Sequence, residues 1–351
     1  MAYTTIDDPG LFFNTVLWTG DGVNGRSLTG VGFQPDWVWS KCRSNAVDHG
    51  LQDSVRGVGK VFHSNSTTAE GVDNWITALN SDGFTLSNSN EVNQDTRTFV
   101  AWNWKAGTSF SNDASATGVG SIDSSGSVNT TAGFSIITYS GTDGTATVAH
   151  GLGVAPDFIW FKRRNASKNN TAYHSALGNT YSAYPDNTSA ASTNYDYFAD
   201  TSPTSTVFTV KKDEDYDEVN ASGGTYVAYC FSSKQGYSKF GAYTGNANAD
   251  GTFIYTGFKP AWFLFKDTES TTSWIIKDNK RLGYNGIVPH LQANTSDAEN
   301  TDGWSEIDFL SNGIKLRNAD NSMNKSGSKF IYMAFAENPF VTSTGVPATA
   351  R

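Results

Sequence analysis

The sequence predicts an all-β chain made of three tandem antiparallel β-sandwich repeats of jelly-roll or lectin-like form. The first observation behind this is internal repetition. Trp18-Thr19-Gly20 leads to Gly32-Phe33-Gln34-Pro35-Asp36-Trp37-Val38-Trp39-Ser40-Lys41, and Tyr139-Ser140-Gly141 leads to Gly153-Val154-Ala155-Pro156-Asp157-Phe158-Ile159-Trp160-Phe161-Lys162. Tyr243-Thr244-Gly245 leads likewise to Gly257-Phe258-Lys259-Pro260-Ala261-Trp262-Phe263-Leu264-Phe265-Lys266. A period of about 100 residues is that of a small domain and too long for a solenoid unit. The second observation is composition: 13% aromatic and only 17% charged residues, with Gly, Ser, Thr and Asn crowding the 351-residue chain, read as many short strands between turns. The third is that Phe158, Ile159, Trp160 and Phe161 are apolar without alternation, the pattern of a strand buried on both faces.

Taken in chain order, repeat 1 spans residues 11–107, a Ser/Gly/Thr-rich linker 108–132, repeat 2 residues 133–235, repeat 3 residues 236–340 and a C-terminal tail 341–351. The linker is almost entirely small and polar, with Val119, Ile122 and Val128 too widely spaced for a core, and reads as flexible or surface-hugging. Repeats 2 and 3 meet at Lys234-Gln235-Gly236-Tyr237 without a spacer, which predicts a rigid pair with repeat 1 more independent. Each proline of the Pro-centred segment fits the first position of a strand, where no ladder donor is needed. The recurring stretches Asn65 to Glu70, Asn187 to Ala191 and Asn294 to Glu299 read as a structural turn because they occur three times.

Charge and cysteine content narrow the function. A net charge of -9 with no basic run argues against nucleic acid or an anionic membrane as direct partner. Met1 to Pro9 has neither a basic n-region nor an apolar h-region, and no stretch approaches the roughly 20 apolar residues of a membrane span, so the expectation is folding in a cytoplasm without membrane insertion. Cys42 and Cys230 sit at non-equivalent positions and read as unpaired structural thiols.

Repetition also acts as a control on candidate sites: what recurs holds up the fold, and what works in one repeat is missing from the others. Glu306-Ile307-Asp308-Phe309-Leu310-Ser311 approaches the paired-carboxylate strand of a β-glucanase, yet Ser311 stands where the second acid is needed, so no hydrolase activity and no catalytic residues are expected. The acidic run 213–218 could hold a Ca²⁺ through several oxygens but lacks the spacing and glycine of a calcium loop, and reads as a solvated hairpin tip. His49, His63, His150, His174 and His290 show no metal-binding spacing, and no phosphate loop or nucleophile elbow occurs, so neither metal nor cofactor is expected. Repeat 2 alone inserts Tyr181, Tyr184, Tyr195 and Tyr197. Aromatic faces beside Asn and Asp suit a sugar ring or a protein partner, with packing between repeats as the competing reading.

Four strings resemble a family of repeat-built proteins encoded by marine tailed bacteriophages: Gly236 to Asn246, Thr256 to Trp262, Phe309 to Arg317 and Tyr332 to Phe340. Ala2 to Pro9 and Val341 to Arg351 fit the same pattern, so the resemblance covers essentially the whole chain. It implies a non-enzymatic virion protein, assembled in the host cytoplasm and carried on the particle as a tail or fibre component. The alternative it leaves open is a capsid or tail decoration protein that stabilises the particle, with a glycan-active enzyme a distant third. The partners implied are other virion proteins and a host surface glycan or receptor, and symmetric particle sites favour a homo-oligomer, with a trimer expected.

Overall fold

The computed structural model describes residues 2–214, 216–281 and 285–348. Repeat 1 contains β1 (Phe13–Thr19), β2 (Arg26–Thr29), β3 (Trp37–Cys42), β4 (Gly50–Asp53), β5 (Lys60–Val61), β6 (Gly71–Val72), β7 (Ile76–Asn80), β8 (Gly83–Leu86), α1 (Asn90–Asn93) and β9 (Thr98–Trp104). Then come β10 (Thr108–Asn112), α2 (Ala114–Thr117) and β11 (Ser124–Asn129). Repeat 2 has β12 (Phe134–Ser140), β13 (Thr145–Ala149), β14 (Phe158–Arg163), β15 (Thr171–His174), β16 (Val207–Lys211) and β17 (Thr225–Phe231). Repeat 3 has β18 (Ser238–Thr244), β19 (Phe253–Tyr255), β20 (Phe258–Asp267), β21 (Ile275–Asp278), β22 (Leu291–Gln292), β23 (Ile307–Leu310), β24 (Gly313–Leu316), α3 (Asn321–Asn324) and β25 (Lys329–Pro339).

The chain is all-β, but the expected β-sandwich is not what forms. The strands make several open, uncurled antiparallel sheets, with no closed barrel and no jelly-roll or sandwich topology among the described residues. Each repeat has one larger sheet, ordered β1-β9-β3-β4, β10-β11-β12-β17-β14-β15 and β18-β25-β20-β21-β22. One face of each packs on a short open sheet of its own repeat: β2-β8-β7, β13-β16 or β19-β24-β23. The other faces of all three meet in a single shared core. The unalternating Pro-centred strands are buried on both faces, as their pattern predicts, but the second face is covered by the other repeats, not by half of a private sandwich.

The register confirms the repeat and refines it. Trp37 pairs with Trp104, Phe158 with Phe231 and Trp262 with Phe335, so Pro35, Pro156 and Pro260 each lie two residues before equivalent positions. Pro260 sits at register shifts of the ladder, where a missing donor is tolerated. Trp18, Tyr139 and Tyr243 lie opposite Phe99, Tyr226 and Phe330, which makes Met333 the counterpart of Trp102 and Tyr229. In the shared core Trp37 stacks on Tyr229 at 4.5 Å, Trp104 meets Trp262 edge-on at 5.6 Å, and Phe158 stacks on Phe240 at 6.2 Å. Every pair of repeats is joined by such a contact.

The recurring aromatic-Thr/Ser-Gly motif has a mechanical explanation. Trp18 Nε1 donates to the Val92 carbonyl (2.8 Å), Tyr139 OH to Val219 (2.7 Å) and Tyr243 OH to Met323 (2.8 Å). The glycine follows because a Cβ on Gly20, Gly141 or Gly245 would lie 2.0–2.3 Å from a carbonyl oxygen of the same return segment. Next to it Asn93, Asn220 and Asn324, all fully buried, accept the amide of Asp21, Thr142 or Asn246 on Oδ1. Their Nδ2 groups donate to the carbonyls of Val23, Gly144 and Asn248.

Segment 108–132, expected as a linker, is ordered instead. β11 pairs along its whole length with β12 and β10 pairs with β11, extending the sheet of repeat 2. Gly126 permits this approach, since a Cβ there would sit 1.8 Å from the Ile136 carbonyl oxygen. Of the expected tail, residues 349–351 lie outside the described residues, while Ser343 donates its backbone amide to Asp7 at 2.6 Å.

Because the repeats share one core, the chain is expected to unfold in one cooperative transition. Asn324→Ala should lower its stability by about 1–3 kcal/mol, because the fully buried Asn324 side chain ties down the Asn246 amide and the Asn248 and Asn318 carbonyls. Calorimetry checks this: the whole transition should move, and a separate early transition confined to repeat 3 would contradict the shared core.

Candidate functional site

The three repeats are latched in a ring, each reaching the next through its recurring polar loop. Glu70 of repeat 1 donates its amide to the Arg164 carbonyl of repeat 2 (2.8 Å), Ala191 of repeat 2 to Thr268 of repeat 3 (2.9 Å), and Glu299 of repeat 3 to Arg43 of repeat 1 (2.7 Å). The loops begin at Asn65, Asp186 and Asn294, whose side chains accept the amides of His49, Asn170 and Trp274. The sequence match puts the second loop at Asn187, one residue late. The expected structural turn is thus the joint between repeats.

Two of the three seams are ionic. Arg164 grips Glu70 with Nε and Nη2, both at 3.0 Å, and Glu70 also accepts from Arg56 at 3.0 Å. Arg56 pairs with Asp53, which accepts Tyr229 OH of repeat 2 at 2.7 Å. The same chain of groups recurs from Arg43 through Glu299, Arg281 and Asp278 to Trp102 Nε1 of repeat 1 at 3.0 Å. Burial alone would raise the Glu70 carboxyl, but the Arg164 hydrogen bonds and the Arg56 charge outweigh it and hold it below the usual range. In repeat 2 the corresponding places hold His174, Leu177 and Ala191, so the seam between repeats 2 and 3 lacks this chain of ion pairs, and Lys329 of repeat 3 donates across it to the Ala176 carbonyl. His174 Nε2 donates there to the Tyr332 carbonyl at 3.1 Å. Repeat 1, expected to be the independent one, carries ionic joints to both neighbours.

Buried bases line the same joints. Lys41, Lys162 and Lys266 occupy equivalent buried positions and donate to carbonyls, Lys41 to Ser296 and Lys162 to Thr67 across the seams at 3.0 Å each. Burial pushes all three ammonium groups down to about 8. His49 accepts Trp39 Nε1–H on Nδ1 (2.8 Å); an indole only donates, so the His49 proton is on Nε2 and is donated to the Gln292 carbonyl of repeat 3 (3.0 Å). His174 accepts the Ala176 amide on Nδ1 (3.1 Å), which fixes the same tautomer.

The four tyrosines singled out in the sequence do not form one exposed surface. Tyr184 and Tyr197 are buried in the core of repeat 2, Tyr195 is half-buried and only Tyr181 is exposed, at 39%. Tyr197 OH donates to Glu218 (3.1 Å), Tyr195 stacks on Tyr197 (5.4 Å), and the Tyr184 carbonyl accepts Trp274 Nε1 of repeat 3 (2.9 Å). Burial drives the Tyr184 phenol up to about 12. The acidic run beside them is largely paired: Asp217 meets Arg163 and Lys168, and Asp213 accepts the Asp196 amide, while Asp215 lies outside the described residues. Asp308 of the carboxylate strand accepts from the Gly286 amide (2.8 Å) and pairs with Arg317. Cys42 and Cys230 are buried and unpaired. Among the described residues no group of three His, Cys, Asp or Glu gathers as a metal site, and no helix is long and apolar enough to cross a membrane.

The seam residues themselves were missed by sequence reasoning. The signal available was Asp-x-x-Arg at Asp53/Arg56 and Asp278/Arg281, each followed by a loop ending in Glu70 or Glu299, and absent from repeat 2. An open groove of about 650 Å³ beside β10 and β11 is lined mainly by hydroxyls and carboxylates, including Ser111, Asp113, Asp123 and Thr138. It offers polar contacts but no bare aromatic face.

Burial depresses His150 and His174 to about 4 and His290 to about 3, and lowers His49 as well. The unfolded chain takes up these protons below about pH 6.5 and the folded chain does not, so stability is full above 6.5 and lost as pH falls toward about 4. The expected loss is about 2 kcal/mol by pH 5 for each of His150, His174 and His290. Asp186, raised by burial to about 6, and Asp36, raised likewise, oppose this by taking up protons in the folded state. Thermal unfolding at pH 7.5, 6 and 5 should show a falling midpoint, less steep in His174→Gln; a flat profile would contradict the neutral buried histidines.

Comparison with curated proteins and with solved structures found no match. Residues 8–339 match a family described as a domain of unknown function (DUF7483), a span that takes in all three repeats and the ring of seams. With nearly its whole length inside that match, the chain belongs to the family described as Domain of unknown function (DUF7483).

Proposed function

We propose that this chain is a non-enzymatic structural protein of a bacteriophage virion, carried as a tail- or fibre-associated component that presents surfaces for host attachment. The observation that carries the reading is the closed ring: three repeats, each latched to the next, share one aromatic core. Such a body resists pulling apart, because separating any repeat exposes tryptophans and breaks two seams at once. Ion pairs cross two of the seams, Glu70 to Arg164 and Arg43 to Glu299, and each carboxylate is held in turn by a buried arginine of its own repeat. Resistance to dissociation outside a cell is what a particle component needs, and three related outer surfaces on one chain allow several weak contacts at once. The resemblance to repeat-built proteins of marine tailed phages supports the particle setting.

A symmetric particle site also suits a homo-oligomer, and a trimer of chains would multiply the outer surfaces further. Labelling purified particles with an antibody against this chain, followed by cryo-electron microscopy, tests the reading. Density for the three-repeat body at the tail tip or fibres is expected. Density on the capsid lattice would favour decoration instead, and absence from the purified particle would overturn the virion role.

A further inference from the structure

Repeat 3 differs from the other two at one exposed place. Its short outer sheet begins with β19, where Ile254 points into the core and Phe253 and Tyr255 point out, 44% and 50% exposed. Tyr255 pairs with Gly313 and Phe253 with Lys315. By the same register, repeat 1 has Thr29 and Ser27 at these positions and repeat 2 has Ala149 and Thr147. Two of the three equivalent strands thus carry small or polar residues at these positions, and only repeat 3 carries two rings. Folding does not require them there.

The rings are held in place. Phe253 lies over the backbone of Gly313, where an added Cβ would meet its ring carbons at 2.8 Å. Lys239 Nζ sits 5.1 Å from the centre of the Tyr255 ring and donates to the Tyr255 carbonyl at 2.7 Å, a cation–π contact that fixes the ring's position. Lys315 is paired with Asp250 at 2.8 Å, and the Asp250 side chain is 81% exposed. The result is two apolar ring faces about 7 Å apart along one strand, rimmed by amines and a carboxylate.

We propose that Phe253 and Tyr255 form a glycan-binding platform for a polysaccharide built of pyranose rings. This deepens the attachment reading above by naming the surface and the class of ligand. The area decides between occupants. A fully buried aromatic side chain covers about 150–250 Å², so the exposed halves of two rings offer about 200 Å². A stable contact with a second copy or another protein needs about 800 Å² per partner. One or two sugar rings need no more than the platform offers: the C–H face of a pyranose lies on an aromatic ring, and its hydroxyl rim meets Lys239, Lys315 and Asp250. The spacing of the two rings lets neighbouring sugars each meet one.

The test is affinity electrophoresis of the full chain in native gels containing laminarin, dextran, hydroxyethylcellulose or alginate. The comparison protein is the double variant Phe253→Ser with Tyr255→Thr, which installs the residues repeat 1 uses at these positions. The platform predicts that at least one polysaccharide slows the wild-type chain and that the variant binds it about tenfold more weakly with an unchanged unfolding midpoint. No retardation by any of the four, or equal retardation of the variant, would overturn it. So would sedimentation showing that the wild-type chain self-associates and the variant does not, because the rings would then be a contact between copies. The assay needs no particle, so failure here leaves the virion location standing, and absence from the particle leaves the binding result standing.

Discussion

The constraint on which the rest depends is that no repeat can bury the inner face of its larger sheet alone. In repeat 1 that face carries Trp37, Trp39, Trp102 and Trp104, which alternate along two paired strands. Val38, between the first two, and Ala101, next to Trp102, pack outward into the repeat's own core. Four large rings on a four-stranded sheet form an apolar surface that water would not tolerate, and repeats 2 and 3 present matching rings at Trp160, Tyr229, Trp262 and Phe335. Closing the three sheets on one another is the solution the chain adopts. Each short outer sheet can then stay small, because it covers only one face.

The seams follow from that closure. Once the rings meet, the loop after β5, its counterpart in repeat 2 and the loop after β22 are brought against the end of the next repeat's Pro-centred strand, and their polar groups must find partners. In two seams the partners are buried arginines between carboxylates; in the third they are backbone amides and carbonyls with His174, Trp274 and Lys329. The seam without the arginine–carboxylate chain lies between the two repeats that the chain joins without a spacer. Covalent continuity keeps those two close at little entropic cost, whereas repeat 1 is followed by the β10–β11 excursion before repeat 2 begins. The ionic joints thus fall where the chain itself gives less help.

Much of the repeat was legible in the sequence, and the higher order was not. The strings around Pro35, Pro156 and Pro260 carry the three-way equivalence, and the all-β class follows from composition. The absence of alternation in Phe158 to Phe161 shows burial on both faces, but nothing local says whether the second cover is a private sheet or a neighbour. That is why the pattern predicts three sandwiches where open sheets around a common core are found. The linker expectation fails because Ser124 to Asn129 is small and polar, the composition of a flexible segment. Here small side chains are what allow β11 to lie close against β12. The tyrosines of repeat 2 stand out because they have no counterpart elsewhere, yet Tyr184 and Tyr197 fill a core that repeats 1 and 3 fill with Phe, Leu and Ile. Phe253 and Tyr255 escape notice in the sequence because their oddity appears only after strand register aligns them with Ser27 and Thr29.

Native-state hydrogen exchange tests the shared core most directly. If the three sheets stand or fall together, the amides of β9, β17 and β25 and the indole N–H of Trp102, which is bonded across a seam to Asp278, should exchange only through global unfolding. Their opening free energies should agree and should fall in parallel as denaturant is added. If the amides of one repeat instead exchanged through a separate opening of lower free energy, with a smaller dependence on denaturant, that repeat would hold its own core, and the account of one core built from three faces would be wrong.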